Sequence, residues 1–249
     1  MKRIIANFKM NKTASEMKHY LISLVSKFDH KNELILCVPY TCLSIARLMV
    51  EGQQNIKIGA QNLCEEEEGR CTGEISGKML RDCGVSYVIV GHSERRMKFK
   101  ENGKVINKKI KVALKNGLQV VLCIGETLAE RNTMKVAETL KEQLSEALKG
   151  LYENELENIT IAYEPIWAIG SGQTPLSREI EQVGRIIRKA ISEDFSTKAG
   201  NEIKIAYGGS VTPKNSVAIC KCKNVDGLLV GGACLDADTF LQILNTIPQ

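Results

Sequence analysis

Short, nearly continuous apolar runs recur along the chain about every 30 residues. They are rich in Val and Ile and do not alternate with polar residues. Such runs are typical of strands buried on both faces, as in a parallel sheet. The runs are Ile4–Phe8, Leu34–Val38, Ile56–Ala60, Tyr87–Val90, Leu118–Ile124, Ile159–Tyr163, Ile203–Tyr207 and Val225–Val230.

Amphipathic segments separate these runs and predict helices. The first carries apolar residues at helical spacing, and Thr13 with Glu16 predicts a capping box at its start. Its apolar stripe is Met17, Leu21, Leu24, Val25 and Phe28. A later stripe is Val136, Leu140, Leu144, Ala147 and Leu148. The weakest helical signal is the short segment Ser76–Cys83.

Two Thr-Pro pairs predict further helix starts. Thr174 precedes Pro175, and Thr212 precedes Pro213. Threonine is a frequent N-cap, and proline is favoured at the first helical position. We therefore expect a helix to begin at each proline.

Eight strand–helix units in 249 residues predict an α/β fold, a (β/α)8 barrel of eight parallel strands with outer helices. We expect residues 1–249 to form a single domain, since no linker or change of composition interrupts the pattern. An open doubly wound sheet is the alternative. It more often carries a G-x-G-x-x-G turn after its first strand, whereas this chain has Asn7-Phe-Lys-Met-Asn11 there.

Composition narrows the possible partners. The chain is 43% hydrophobic and 25% charged, with a net charge of +5 and no basic stripe interleaved with aromatics, so we expect no nucleic acid. No apolar run approaches the roughly 20 residues of a membrane span. Nine cysteines without a secretory signal fit small buried side chains in a reducing cytoplasm. Three histidines and a Cys220-Lys-Cys222 spacing make a metal site unexpected.

Polar side chains follow the first predicted strand. Asn7 and Lys9 lie there, and in a barrel such strand ends converge on one face. A turn-forming asparagine and a solvated lysine are the ordinary interpretations of these residues in isolation. Together they offer an amide donor and a cation.

His92 follows the fourth strand, in the segment Gly91–Arg96, and we predict it at the start of a helix. The positive end of the helix dipole disfavours a cationic imidazole. A neutral His92 would donate a hydrogen bond to a carbonyl oxygen or to the enediolate formed from it. A buried structural histidine is the alternative.

Glu164 follows the sixth strand, beside Pro165 and the single tryptophan, Trp167. Partly apolar surroundings suit a carboxylate to general-base work. The alternative is a carboxylate paired with an arginine. The following Ile169-Gly-Ser-Gly172 is apolar and glycine-rich, which favours a lid that excludes water.

Two glycine pairs follow the seventh and eighth strands. Gly208-Gly209-Ser210 and Gly231-Gly232-Ala233 each precede a predicted helix, and backbone amides at such positions bind phosphate. Either pair alone is weak evidence, but in this fold these two loops frequently form a phosphate site. A base, a neutral acid, a cation and a phosphate cradle suit proton transfer next to the carbonyl of a small phosphorylated substrate.

With these motifs, the sequence resembles the triosephosphate isomerase family over essentially its whole length. The matching segments are Asn7–Asn11, Ala60–Asn62, Thr72–Ser76, Gly91–Arg96, Cys123–Glu126, Tyr163–Gly170, Tyr207–Ser210 and Leu229–Ala233. The resemblance implies a TIM barrel and a cytoplasmic aldose–ketose isomerase of glycolysis and gluconeogenesis. It would interconvert dihydroxyacetone phosphate and D-glyceraldehyde 3-phosphate without a cofactor.

The resemblance also implies roles for the residues at the strand ends. Glu164 matches the base and His92 the electrophile, and this family is itself the standard example of that pairing. Lys9 matches the cation that stabilises developing negative charge. Asn7 matches an adjacent substrate donor, and Glu94 matches a carboxylate that contacts the Lys9 ammonium.

By the same resemblance, the amides of Gly170, Ser210, Gly231 and Gly232 would hold the phosphate. The lid would comprise Pro165, Ile166 and Trp167 as its first hinge, followed by Ala168, Ile169, Ser171 and Gly172. Tyr207 and Ser210 match residues that latch the closed lid.

Most members of the family are homodimers, and Thr72 matches the residue that reaches the partner's site. Arg70 and Cys71 stand where an Ala-Phe pair is common in the family. Losing that aromatic side chain would remove apolar area from the interface.

Three other interpretations stay open from the residues alone. Another phosphate-binding barrel enzyme, such as a sugar-phosphate epimerase, would share the two glycine pairs. A non-catalytic scaffold would keep only the fold. The cysteines would be redox sensors if exposed, and Cys64, Cys71 and Cys222 are the expected exposed ones because they lie outside clear strands.

Overall fold

The computed structural model describes residues 2–248 and forms a closed barrel. Within those residues, eight strands pair in chain order, and each is parallel to both neighbours. The strands are β1 (Arg3–Asn7), β2 (Glu33–Val38), β3 (Ile56–Ala60), β4 (Tyr87–Val90), β5 (Gln119–Ile124), β6 (Ile159–Tyr163), β7 (Lys204–Tyr207) and β8 (Gly227–Val230). The predicted barrel is confirmed.

Helices surround the strands. They are α1 (Ala14–Val25), α2 (Leu43–Met49), α3 (Gly77–Asp82), α4 (Ser93–Lys98), α5 (Gly103–Lys115), α6 (Leu128–Asn132), α7 (Val136–Ala147), α8 (Ser177–Asp194), α9 (Thr197–Glu202), α10 (Ser216–Cys220) and α11 (Ala237–Thr246). Short 3-10 helices lie at Tyr40–Cys42, Glu153–Asn158, Ile166–Ala168 and Gly232–Leu235. No helix in residues 2–248 is both long enough and apolar enough to span a membrane.

The apolar side chains form two cores, one inside the barrel and one between the barrel and the helices. Along β1, Ile5 points into the barrel core, whereas Ile4 and Ala6 pack in the outer core. Successive strand residues point to opposite faces, so both faces of every strand must be apolar. This explains why the runs in the sequence are continuous.

Helix starts agree with the sequence only in part. The Thr13 side chain accepts the amide of Glu16, whose carboxylate accepts the amide of Thr13, so the predicted capping box is confirmed. The predicted start at Thr174-Pro175 is wrong. Helix α8 begins at Ser177, where the Glu179 carboxylate accepts the amide of Leu176 at 2.7 Å.

The predicted helix start at Thr212-Pro213 is also wrong. Helix α10 begins at Ser216, and a turn occupies the residues before it. The Asn215 side chain accepts the Thr212 amide at 2.8 Å and closes that turn. The Thr-Pro pair therefore starts a turn, which Thr and Pro favour as readily as a helix.

Two of the three cysteines expected to be exposed are buried. Cys64 and Cys222 are 5% and 4% exposed, so the expectation is wrong for both, and of these three cysteines Cys71 alone is partly accessible. Cys222 lies against α8, whose Ser177 carbonyl accepts its thiol at 3.8 Å. Tertiary packing covers a residue that lies outside the strands.

Arg188 joins several elements at the amino-terminal end of the barrel. Its guanidinium donates to the carbonyls of Gly200, Asn201 and Ile203 at 2.9–3.1 Å, and to the Asp226 carboxylate at 2.9 Å. These contacts tie α8 to the segments that lead into β7 and β8.

We expect Arg188→Ala to lower the free energy of unfolding by roughly 2–3 kcal/mol, because it leaves several acceptors without a charged donor. Urea denaturation at a fixed protein concentration measures this. The neighbouring Lys189→Ala is the control. The Lys189 side chain is 79% exposed, so this change should stay within about 0.5 kcal/mol. Equal losses for the two variants would contradict the assigned role of Arg188.

Candidate active site

A cavity of about 320 Å³ opens at the carboxyl ends of the strands. Residues at or just after the carboxyl ends of five different strands line it. They are Asn7, Lys9, His92, Glu164, Ile169, Gly170, Gly208, Gly209, Ser210, Val211, Thr212, Leu229, Gly231, Gly232 and Ala233. The cavity therefore contains most of the strand-end residues named from the sequence.

Glu164 lies immediately after β6 and is 2% exposed. One carboxylate oxygen, Oε1, is 3.1 Å from His92 Nε2, and the other accepts the Ser93 amide at 3.3 Å. Among residues 2–248, the basic side chain that lies closer than 4.0 Å to this carboxylate is His92. The alternative, a Glu164 carboxylate paired with an arginine, is therefore not observed. The Ser93 contact could not be predicted from the sequence, because it depends on how β4 and β6 are placed.

Two glycines leave the space that Glu164 occupies. A Cβ on Gly125 would lie 1.8 Å from the Glu164 carbonyl oxygen, and one on Gly208 would lie 2.8 Å from its Cγ. Any larger residue at either position would displace the glutamate. Gly125 belongs to a segment that carried the family resemblance, but its role is visible only in three dimensions.

His92 is the N-cap of α4, as predicted, and is 5% exposed. Its Nδ1 accepts the Glu94 amide at 3.2 Å, which leaves Nε2 as the ring donor that faces Glu164. Burial alone lowers the pKa of His92. The charge and hydrogen bond of Glu164, with a smaller effect of Glu94, outweigh burial and raise the pKa above its usual value. The expectation that this position disfavours a cationic His92 was wrong, because it considered the effect of the helix terminus without that of Glu164.

Lys9 and Glu94 form an ion pair at the cavity, with Nζ and Oε1 2.8 Å apart. Partial burial alone would raise the pKa of Glu94, but hydrogen bonding and attraction to Lys9 hold it below its usual value. The Lys9 backbone adopts a positive φ of 51°, unusual for a residue with a side chain. The Asn7 side chain accepts the Lys9 amide at 3.0 Å and supports this conformation. Lys9 is thus held at the site rather than free in solvent.

The two glycine pairs line the cavity together. The 3-10 helix Gly232–Leu235 begins inside the second pair, and α11 follows at Ala237, so a helix does start next to this pair, although earlier than predicted. A turn follows Gly208–Ser210, so the predicted helix start next to that pair is wrong. The Ser210 carbonyl accepts the Asn215 side chain at 2.9 Å and is fixed by that turn.

The segment Pro165–Gly172, which the sequence predicts to be a lid, places Ile169 and Gly170 at the cavity. Gly170 and Gly172 have φ angles of 69° and 74°, with no atom within 4 Å of the Cβ position of either. Ser171 between them is exposed. The outer half of this segment therefore has little packing that would oppose its movement.

The inner half of this segment is anchored. Ala168 is fully buried, and Trp167 donates its indole N–H to Glu126 at 2.9 Å. Tyr163 donates to the same Glu126 oxygen at 3.1 Å, and the Arg131 guanidinium stacks on Trp167 at 4.5 Å. Glu126 was named only as part of a matching segment, and its contact with Trp167 was missed.

Several predicted residues lie outside the cavity lining, among them Glu94, Tyr207 and Thr72. The Tyr207 hydroxyl is buried, and among residues 2–248 it has no hydrogen-bond partner. Thr72 is exposed in the loop between β3 and α3 and does not join the other site residues within one chain. In the described range, no group of three or more His, Cys, Asp or Glu side chains could hold a metal ion.

Comparisons with known proteins agree with this architecture. The triosephosphate isomerase family model matches residues 2–247. Triosephosphate isomerases of Alkaliphilus metalliredigens and Thermodesulfovibrio yellowstonii are both 44% identical to this chain. The alignments cover 97% of the chain and 98% of the relative in the first case, and 98% of each in the second.

A solved structure shows the same fold. The crystal structure of triosephosphate isomerase from Bartonella henselae superposes with a TM-score of 0.88, at 36% identity, over 98% of both chains. The closed parallel barrel, the strand-end cavity and full-length similarity agree with one another. On these grounds the chain belongs to the triosephosphate isomerase family.

Proposed function

We propose that this chain is an isomerase that interconverts dihydroxyacetone phosphate and D-glyceraldehyde 3-phosphate. The observation that carries the proposal is the meeting of Glu164, His92 and Lys9 in one cavity with the glycine amides. Proton transfer between adjacent carbons needs a base, an acid at the oxygens and an anion site, and these groups supply all three. A phosphorylated triose is the proposed substrate.

Glu164 is the proposed base. It removes a proton from C1 of the ketose and returns that proton to C2, and an enediolate is formed between these steps. Its near-complete burial keeps water away from the carboxylate. Bond making and bond breaking involve only substrate carbon, oxygen and hydrogen, so the proposed reaction uses no cofactor.

His92 is the proposed electrophile, and its charge is coupled to that of Glu164. While Glu164 is ionised, it raises the pKa of His92. Once Glu164 has taken the substrate proton, that attraction disappears, and burial with the helix N-terminus favours the neutral imidazole. A neutral His92 then donates its Nε2 proton to one substrate oxygen and recovers a proton from the other.

Lys9 and Asn7 are the proposed polar contacts to the reacting oxygens. The Lys9 ammonium stabilises negative charge as it develops. Its pairing with Glu94 at 2.8 Å holds the long side chain at the cavity before substrate binds. Glu94 therefore acts through Lys9 as a positioning residue.

The proposed phosphate site uses the amides of Gly170, Ser210, Gly231 and Gly232. Closure of Pro165–Gly172 brings Gly170 to the anion and excludes water, which would otherwise promote loss of phosphate from the enediolate. The Tyr207 hydroxyl is buried and has no hydrogen-bond partner among the described residues. This supports a latch in which Tyr207 and Ser210 hold the lid when it closes. Because backbone amides bind the phosphate, the phosphate site places little additional charge next to Lys9.

We expect Glu164→Gln to lower kcat by on the order of 10²–10⁴-fold, because the amide cannot accept the carbon-bound proton. Glu164→Asp keeps a carboxylate but shortens its reach, so its kcat should fall in the same range. Steady-state isomerase assays with product reduction coupled to NADH oxidation measure both. The control Glu138→Gln changes an exposed carboxylate on α7 and should leave kcat unchanged. An unchanged kcat in Glu164→Gln would refute the assignment.

We further propose that the chain forms a homodimer. Met10, directly after β1, is 96% exposed, and Phe99 is 64% exposed. Both line an apolar groove of about 350 Å³ that also contains Tyr40 and adjoins His92. A second copy of this chain would fill the groove with its loop that bears Thr72. Exposed apolar side chains beside an active site are a frequent mark of an interface.

We expect Met10→Lys to shift the protein from dimer towards monomer in sedimentation velocity, because a buried unpaired charge opposes association. Met134→Lys is the matched control. Met134 is 86% exposed and lies after α6, outside the groove, so this variant should remain dimeric. A dimeric Met10→Lys would place the interface elsewhere, and a monomeric wild type would refute the dimer.

The remaining assignments follow from this activity. We propose a cytoplasmic enzyme of glycolysis and gluconeogenesis, formed by residues 1–249 as one domain. Support for the compartment comes from the nine cysteines, all free in the described structure. Neither a sugar-phosphate epimerase nor a non-catalytic scaffold would need Lys9, His92 and Glu164 together. A panel of sugar phosphates would distinguish these alternatives.

A further inference from the structure

The segment 165–176 lies between β6 and α8 and contains the proposed lid. Two carboxylates hold its ends, one at the residues that follow β6 and one at the residues that precede α8. A side chain from a third element, Arg131 of α6, contacts both carboxylates. The two ends of the segment therefore have one neighbour in common.

Glu126 holds the first end of the segment. Its backbone carbonyl accepts the Ile166 amide at 3.0 Å, and its carboxylate accepts the Trp167 indole N–H at 2.9 Å. This side chain is fully buried, and its second oxygen, Oε2, has no hydrogen-bond partner among residues 2–248. A buried carboxylate with one unpartnered oxygen depends strongly on a charged donor at the other oxygen.

Arg131 supplies that charged donor. Its Nη1 lies 3.4 Å from Glu126 Oε1, and among the described residues it is the cation within 4.0 Å of this carboxylate. The guanidinium also lies over the Trp167 ring, 4.5 Å from the ring centre. Arg131 therefore holds Trp167 in two ways, directly by stacking and indirectly through the carboxylate that accepts the indole N–H.

Glu179, on α8, holds the second end of the segment. One carboxylate oxygen, Oε2, accepts the Leu176 amide at 2.7 Å, and the other, Oε1, forms an ion pair with Nη2 of Arg131. The Glu179 amide also donates to the Leu176 carbonyl at 2.9 Å. A planar guanidinium can bind acceptors with its edge while its face stacks on an aromatic ring, whereas an ammonium cannot. Arg131 uses its edge and its face in this way.

We propose that Arg131 couples the two ends of the proposed lid, so that release at one end weakens the hold at the other. Groups that share one partner make non-additive contributions, because losing one contact leaves that partner free to move. Arg131 is thus a positioning residue, since it lies outside the cavity lining and acts through Trp167 and Glu179. The inference rests on the proposed function and deepens it, because coupled ends would let the lid close over the substrate in one step.

An ion pair elsewhere on α8 provides a matched comparison. The Arg131 and Glu179 side chains are 23% and 33% exposed, whereas those of Lys141 and Glu193 are 56% and 42% exposed. Water and salt screen the second pair more strongly, so it should contribute little. Replacing Glu193 therefore controls for the loss of a carboxylate from the same helix.

The test uses the single tryptophan of the chain as its reporter. Full-length protein with ¹⁵N-labelled tryptophan gives one indole N–H signal, and its rate of exchange with solvent measures how often the bond from Trp167 to Glu126 opens. In Glu179→Gln, the amide oxygen still accepts from Leu176, but the charge that holds Arg131 is lost. We expect the indole exchange rate to rise roughly two- to fivefold, the factor that corresponds to an exposed cation–π contact.

Three further variants complete this test. Glu193→Gln should exchange at the wild-type rate. Arg131→Met should exchange at least as fast as Glu179→Gln, and Arg131→Lys should lie between Arg131→Met and the wild type, because it keeps the charge without the stacked plane. An unchanged rate in Glu179→Gln would show that the two ends open independently and would overturn the coupling. Thermal unfolding checks that each variant is folded, and Glu179→Gln decides the result if Arg131→Met is not.

A kinetic measurement connects the coupling to the proposed function. If the lid closes less completely, more enediolate loses its phosphate, so the inorganic phosphate released per isomerisation should rise several-fold in Glu179→Gln and stay unchanged in Glu193→Gln. A purely structural role would lower the amount of active enzyme without changing this ratio. An unchanged ratio beside a raised indole exchange rate would contradict the link to water exclusion. A wild type without isomerase activity would refute the proposed function, whereas the indole measurement would still decide the coupling.

Discussion

Burial of both faces of every strand is the constraint on which the rest of this structure depends. A parallel sheet with two apolar faces needs cover on both of them, and this chain supplies it with helices on the outside and closure of the sheet on the inside. Closure brings the carboxyl ends of strands that are distant in sequence to one rim. The site exists because β1, β4, β6, β7 and β8 all end there.

The rim is held by polar contacts between neighbouring strand ends. Arg96 donates to the Gly91 carbonyl at 2.7 Å and to the Cys123 carbonyl at 2.9 Å, which ties the ends of β4 and β5. Next to that link, Gly125 gives the Glu164 backbone its close approach. The proposed role of Glu164, moving a proton between two carbons, needs this positional accuracy, and small residues with fixed hydrogen bonds provide it.

Electrostatic coupling then decides which protonation states the site can adopt. Burial disfavours the charged forms of His92 and Glu94, and a neighbouring opposite charge outweighs burial for both. Lys9 stabilises the Glu94 carboxylate, and Glu164 raises the pKa of His92. Removing the charge of one partner changes the pKa of the other. When Glu164 takes up a proton, the pKa of His92 therefore changes, because His92 Nε2 lies 3.1 Å from Glu164 Oε1.

The sequence by itself determined the barrel, the order of its strands and most of the cavity residues. Continuous apolar runs can be satisfied only by strands buried on both faces, and residues at strand ends follow from that periodicity. Only the tertiary structure decided the direction of the His92 pKa shift, the Ser93 amide that holds Glu164, and the anchoring of Trp167 by Glu126. Each of these depends on the distance between groups on different elements. The helix starts predicted at Thr174 and Thr212 were wrong for a related reason. A Thr-Pro pair fits a turn and a helix start equally well, and only the packing of α8 and α10 selects between them.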